Sequence, residues 1–278
     1  MMSRPAIAYD IKERLLLVEG IHLTLGGKKI LRDVHFEVRN IVRPGIEQGQ
    51  VVGLLGPSGM GKTQLFRILA GLNPPDSGTV LVGEPGEPVK PGTVGVVAQN
   101  YPLLTHRKIL GNLVVAGKQA GMSASEAEGR AKQLLENFGL ADHGDKYPVQ
   151  LSGGQRQRAA IAQQFMCSNE LMLMDEPFSG LDPLALARMC KFIKEVAQTD
   201  EHKTFIIVTH DIASAIEVCD TLILLGRDRD EAGAFIPGAK IQKSIDLIAR
   251  GLAWHENISR TPEFHATVNE VKDLFEHL

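Results

Sequence analysis

The sequence is short of the features that mark most specialised protein classes. Its 278 residues hold three cysteines, one tryptophan and an aromatic share of only 5%. Cys167, Cys190 and Cys219 are odd in number and lie far apart, with none of the close spacings of a zinc site or a redox pair. They read as buried or idle thiols in a reducing compartment. Long apolar runs are missing as well. LLLV at 15–18, VVGLL at 51–55 and LILL at 222–225 fall far short of the roughly 20 residues that span a bilayer. The opening MMSRPAIAYDIKER has no apolar stretch before a small-residue cleavage site, which leaves secretion unsupported. Charge of one sign is lacking too. A net charge of -3 and a pI near 6.3 argue against a nucleic-acid binder, which usually carries a strongly basic domain or stripe. There is no internal repeat and no low-complexity segment. What remains is ordinary for a globular chain, 44% hydrophobic and 23% charged, and long enough for one large α/β domain or two small ones.

Along the chain the patterning changes twice. The runs LLLVEGIHLTL, ILRDVHFEV and VVGLLG are β-rich and bounded by turn residues, which predicts a mixed sheet in the first hundred residues. From 103 to 170, NLVVAGKQAG, SEAEGRAKQLLENFGL and GGQRQRAAIAQQFMCS place apolar residues three and four apart, the helical period. Apolar strands return at 171–175, 204–210 and 221–226, with helical stretches near 183–198 and 211–219 between them. That alternation predicts a buried, largely parallel sheet. NIVRPGIEQGQ at 40–50 holds a Pro-Gly turn signal and reads as an extended loop between strands. The charge run RDRDE after Gly226 marks a boundary, beyond which TPEFHATVNEVKDLFEHL predicts an amphipathic helix. Thr261 is its N-cap and Pro262 its first residue, with Phe264, Val268, Val271 and Leu274 on one face.

The chemistry concentrates at three places. The strand VVGLLG runs into Gly56, Pro57, Ser58, Gly59, Met60, Gly61, Lys62 and Thr63, a full GxxxxGK[ST] match followed by the helical TQLFRILAGL. Glycines there let backbone N–H groups curl around phosphates, a helix N-terminus adds a favourable dipole, Lys62 reaches the β and γ oxygens, and Thr63 can ligate magnesium. Average composition puts an accidental match at roughly one chain of this length in a hundred. Downstream, the strand LMLM ends in Asp175 and Glu176, one carboxylate for magnesium and a second to polarise water. Between the two, Leu151, Ser152, Gly153, Gly154 and Gln155 open a helical stretch, giving a second phosphate-seeking helix N-terminus.

The pentapeptide LSGGQ, in this order with the other two motifs, resembles the ABC ATPase signature, and the likeness covers residues about 15–226. The resemblance implies an α/β fold of the P-loop NTPase type. Its mixed sheet would have a RecA-like core, an antiparallel β subdomain and an inserted helical subdomain. The domains expected are an ATPase domain over 1–226, helical at about 103–170, and a C-terminal extension over 227–278. By the same resemblance, Gln99 matches the glutamine that contacts magnesium or water and reports to membrane subunits. Ser152, Gly153, Gly154 and Gln155 complete the ATP site of the opposite subunit. Asp182, in Ser179-Gly180-Leu181-Asp182, matches the loop that crosses the dimer interface, and His210 matches the histidine that hydrogen-bonds the γ-phosphate. Glu176, His210 and Gln99 are thus the catalytic set, with Thr63, Gln99 and Asp175 toward the metal. One departure stands out. ABC ATPases carry an adenine-stacking aromatic in the first strands, and Leu25 occupies that place here, which predicts weaker ATP binding or looser purine selectivity.

The function implied is an ATP- and Mg2+-dependent ATPase on the cytoplasmic face of the membrane, peripheral to it. It would pair with a second, identical ATPase subunit beneath integral membrane permease subunits, and through them serve an extracytoplasmic solute-binding protein. No nucleic acid is expected. The stand-alone cassette, LSGGQRQRAAIAQQ and QNYPLLTHRKILGNL look more like importers than exporters, and lean toward the nitrate, sulfonate and taurine group or the polar amino-acid group. A soluble ABC ATPase of translation or DNA maintenance is the alternative, but such proteins usually carry two cassettes or a long coiled-coil insertion. A regulatory cassette without turnover is disfavoured because Lys62, Asp175, Glu176 and His210 are all in place.

Overall fold

The computed structural model describes residues 9–42, 49–100, 102–167, 170–198, 203–253 and 257–278. Most of the loop expected at 40–50, residues 43–48, lies outside them. The chain forms two compact units, Met1–Val94 with Leu173–Leu278, and Gly95–Met172.

The first unit contains two sheets. Strands β1 (Asp10–Leu25) and β2 (Lys28–Val42) pair antiparallel across a Gly26-Gly27 turn. Both glycines have left-handed φ angles of 55° and 77°, the geometry that matches the twist of a two-residue hairpin. Leu16 and Val18 are buried on one face of β1, and a register shift after Val18 returns Ile21 and Leu23 to that face. β1 also pairs with the strand Ser77–Val82. In the second sheet β3 (Gln50–Leu55) lies parallel to strands Thr204–Thr209 and Thr221–Gly226, and each residue of the first two is buried. Burial on both faces is why these strands read as continuous apolar runs rather than alternating ones. Numbering the remaining strands in chain order gives β4 (Ser77–Val82), β5 (Glu87–Pro88), β6 (Gly95–Val97), β7 (Leu171–Asp175), β8 (Thr204–Thr209), β9 (Thr221–Gly226) and β10 (Lys240–Asp246). In the first unit the strand order is β10-β9-β3-β8-β7. Helices α1 (Lys62–Leu69), α5 (Pro183–Ala197), α6 (Ile212–Val218) and α7 (Pro262–His277) complete this unit.

The segment beyond Gly226 continues the same sheet, because β10 runs antiparallel to β9. In α7, Thr261 Oγ1 accepts from the Phe264 N–H at 3.2 Å, and Phe264, Val268 and Val271 are buried. Glu270 receives Arg250 at 2.6 Å and Lys243 at 3.0 Å, tying α7 to the β10 side of the sheet. Phe264→Ala is expected to cost about 3 kcal/mol of stability, read as a lower denaturant midpoint with an unchanged slope.

Among its described residues the second unit holds β6, the α-helices α2 (Ile109–Gln119), α3 (Ala124–Asn137) and α4 (Gly153–Gln164), and two short 3-10 turns at Ala141–His143 and Pro148–Gln150. α3 opens with a capping box between Ser123 and Glu126. Phe138 and Phe165 meet edge to face with ring centroids 5.4 Å apart, and Ile109, Leu113, Ala131 and Leu134 share this buried core. The Val96 N–H donates to Gln164 Oε1 at 3.2 Å, which anchors β6 to the end of α4. Among the described residues no helix is long and apolar enough to cross a membrane.

Candidate functional site

In the first unit, β3 ends at Leu55 and the chain turns through Gly56–Gly61 into α1. A Cβ on Gly56 would sit 2.5 Å from the Leu225 carbonyl oxygen, and one on Gly61, at φ 90°, would sit 2.8 Å from Ile30 Cγ2. Only glycine allows this close passage. Ser58, Gly59 and Thr63 are exposed while Met60 is buried, and no side chain caps the N-terminus of α1. Nothing lies within 4 Å of a Cβ built on Gly59. An uncapped helix start with exposed glycine and hydroxyl groups around it is suited to an anion.

Lys62 is buried and donates to the carbonyls of Gly56 at 2.7 Å and Pro57 at 3.1 Å. Its Nζ lies 4.0 Å from Glu176 Oε1. Burial pushes the Lys62 pKa down, opposed by the charges of Glu176 and Asp175. At the tip of β7, burial pushes the Asp175 carboxyl up, with the Glu176 charge adding to it and Lys62 and Arg67 opposing. Asp175 Oδ1 is buried without a hydrogen-bond partner. Such an atom is costly unless something positive meets it. A buried carboxylate oxygen beside a phosphate-type loop fits a hard divalent cation, so the residues present suit a nucleotide triphosphate with its metal.

Glu176 stands in the left-handed region at φ 49°, a strained setting for a non-glycine residue that recurs at functional sites. Its carboxylate accepts from Thr209 Oγ1 at 3.0 Å on one oxygen and lies 2.9 Å from His210 Nδ1 on the other. The Glu176 N–H donates to the Val208 carbonyl at 2.8 Å, so the neighbouring strand β8 fixes both backbone and side chain. Lys62, Glu176 and His210 are thereby brought together, with Asp175 adjacent in sequence. Thr209, buried at 0% exposure, is a residue the sequence reading passed over. A hydroxyl closing an otherwise apolar buried strand was the available signal.

Other predicted residues are placed but not gathered. Leu25 is 45% exposed at the end of β1. Asp182 caps α5, accepting from the N–H groups of Leu184 and Ala185 at 2.9 Å, and the Ala185 amide leads in holding its carboxyl below the usual range. In the second unit, Gln99 is exposed in the turn after β6. Asn112, fully buried, braces the loop that follows: its side chain accepts from the Leu104 N–H at 2.6 Å and donates to carbonyls of Leu104, Arg107 and Lys108. Ser152 caps α4 in a capping box with Gln155. Ser152, Gly153 and Gly154 are exposed, with open space around both glycines. Gln155 Nε2 lies 2.9 Å from His143 Nε2, so a partner outside the motif holds the Gln155 side chain. Cys190 and Cys219 are buried, and burial drives the first thiol up to about 12 and the second well above its usual value. Neither is a nucleophile.

Comparison with known proteins gives the family. The ABC transporter family profile matches residues 40–179. A sulfate/thiosulfate import ATP-binding protein of Gloeobacter violaceus is 34% identical over 78% of this chain and 61% of its own length. The chain thus spans less than two thirds of that relative. The L-cystine import ATP-binding protein of Bacillus subtilis is 37% identical over 76% of this chain and 86% of its own. The structure of CbiO1 from Clostridium perfringens, described as part of the ABC transporter complex CbiONQ, superposes with a TM-score of 0.69 at 22% identity. It covers 95% of this chain and 100% of the other, a likeness of fold. By that profile and by relatives at 34% and 37% identity over more than two thirds of its length, the chain belongs to the ABC transporter family.

Proposed function

We propose that this chain is the ATP-hydrolysing subunit of an ABC importer. It works as a dimer of identical copies beneath membrane permease subunits, and an extracytoplasmic solute-binding protein delivers the cargo to those permeases. The peripheral, cytoplasmic-face location follows from that role. The observation that carries the reading is the Glu176 carboxylate, held by Thr209 and His210 within 4.0 Å of Lys62 beside the phosphate loop.

Backbone N–H groups of Gly59–Thr63 and the Lys62 ammonium would bind the phosphates of ATP, with Thr63 and Asp175 toward a magnesium ion. Bound magnesium offsets phosphate charge and aligns the terminal phosphoryl group. Glu176 takes a proton from the attacking water as general base. Thr209 fixes the rotamer of that carboxylate, and His210 hydrogen-bonds it and the γ-phosphate in turn. Ser152, Gly153, Gly154 and Gln155 present exposed helix-terminal amides to the γ-phosphate held by a second copy, and Asp182 lies at the crossing between copies. Asp182 serves that role through the backbone of the loop it stabilises, since its carboxylate is engaged as a helix cap.

The relatives' names for sulfate, thiosulfate and L-cystine import favour small polar or anionic cargo. Purified chain is expected to hydrolyse ATP only with magnesium, and to become dimeric when hydrolysis is blocked. Phosphate release with light scattering on the same sample reads both. Nucleotide binding with neither turnover nor dimerisation would support a regulatory cassette instead.

A further inference from the structure

The connection between β9 and β10 is a built element outside the groups that hold Glu176 and Lys62. It leaves the sheet at the same end as the phosphate loop, because Leu55 of β3 pairs with Leu224 of β9 in parallel register. A Cβ on Gly56 would lie 2.5 Å from Leu225 O. On its other side the connection runs beside β2: Ala239 N–H donates to Ile30 O and Arg32 N–H to Ala239 O, both at 2.9 Å. Ile30 also faces Gly61, so it touches the phosphate loop with one side and the β9–β10 connection with the other. The Leu31–Ala239 bridge is parallel. The connection therefore enters β10 at the end of the sheet where β2 begins, the same end as the Gly26-Gly27 turn and the exposed Leu25.

The connection itself is a hydrogen-bonded hairpin. Ile236 N–H donates to Asp228 O at 2.8 Å and Asp230 N–H to Ala234 O at 2.9 Å. Asp230 Oδ1 accepts from the N–H groups of Ala232 and Ala234 across the tip. At the base Asp228 receives Lys240 at 2.8 Å, Gln242 at 3.1 Å and Arg32 at 2.6 Å. These hold its carboxyl down at about 2, Lys240 foremost. At the tip, Phe235 is 45% exposed and the Arg229 guanidinium sits 4.0 Å from its ring centroid. Arg229 is itself held by Gly233 O at 3.0 Å. A cation fixed over one ring face leaves the rest of the π-surface available, and preorganised aromatic and guanidinium planes are what bases stack on.

We propose that Phe235, backed by Arg229, is the surface that stacks on the base of the bound nucleotide, replacing the aromatic that Leu25 does not supply. The assignment rests on nucleotide binding at Gly56–Thr63. It makes the β9–β10 hairpin a determinant of purine affinity while leaving phosphate recognition to the loop.

The test is calorimetric titration of the full chain with Mg-ADP and, separately, with magnesium pyrophosphate, which has no base. Phe235→Leu keeps apolar bulk without the ring; Phe235→Tyr keeps the ring. Phe235→Leu is expected to weaken ADP about 5- to 100-fold and to change pyrophosphate affinity by less than about twofold. Phe235→Tyr should match wild type on both. Unchanged ADP affinity in Phe235→Leu overturns the proposal, and so does an equal loss for pyrophosphate, which would report damage to the phosphate loop. If wild type binds neither probe, nucleotide binding at Gly56–Thr63 fails, and the stacking proposal falls with it by a distinct signature.

Discussion

Glu176→Gln is expected to lower ATP turnover by about 100- to 1,000-fold, the scale of a general base removed from a preorganised site, while nucleotide affinity changes by less than about threefold. Glutamine is nearly the same size and can still accept from Thr209 Oγ1, so the loop after β7 has no steric reason to move. What it cannot do is take a proton from water. Affinity survives because the phosphate contacts are made elsewhere, by the Gly59–Thr63 amides and Lys62. Removing a negative charge 4.0 Å from the Lys62 ammonium also frees that ammonium for an anion. With binding intact and hydrolysis blocked, the ATP-bound dimer should accumulate, visible by light scattering. Turnover equal to wild type would remove Glu176 from its assigned place.

Asp175→Asn is expected to move activity and ligand-free stability in opposite directions. Magnesium-dependent hydrolysis should fall by about 100-fold or more, because an anionic ligand to the metal becomes a neutral one. Unfolding without nucleotide or metal should become harder by up to about 1 kcal/mol. Asp175 is buried at 8% exposure with Oδ1 unpartnered, and both burial and the neighbouring Glu176 charge disfavour its ionised form. Neutralising it relieves a penalty that the folded chain otherwise carries for its function. Thermal unfolding beside a hydrolysis assay reads both halves, and a stability loss with unchanged activity would contradict the metal-ligand role.

The carboxylates, the phosphate loop and the signature helix were all visible as spelling. Each is a local pattern: a glycine-rich turn between an apolar strand and a helix, two acids closing a strand, a serine three residues before a glutamine. Helices α2, α3 and α4 followed from apolar residues at three- and four-residue spacing, and β3 and β8 from uninterrupted apolar runs. β10 was not read. KIQKSID has one buried position, Ile245, among exposed and half-buried neighbours, so no period of two stands out. β10 is a strand because β9 offers it an edge. The charge run before it forms the hairpin whose base is locked by Arg32 and Lys240.

The sequence by itself determined the family and the class of fold, and it named the candidate reacting groups. These depend on residue type and short spacing, which chain order preserves. Only tertiary structure decided how those groups are held. Thr209 reaches Glu176 across 33 positions, His210 across 34, and Arg32 meets Asp228 across 196. Such contacts come from strand register and sheet order rather than from any local period. The strained φ of Glu176, the partnerless oxygen of Asp175 and the aromatic hairpin beside the phosphate loop all belong to that second level, because each is a relation between segments that only folding brings together.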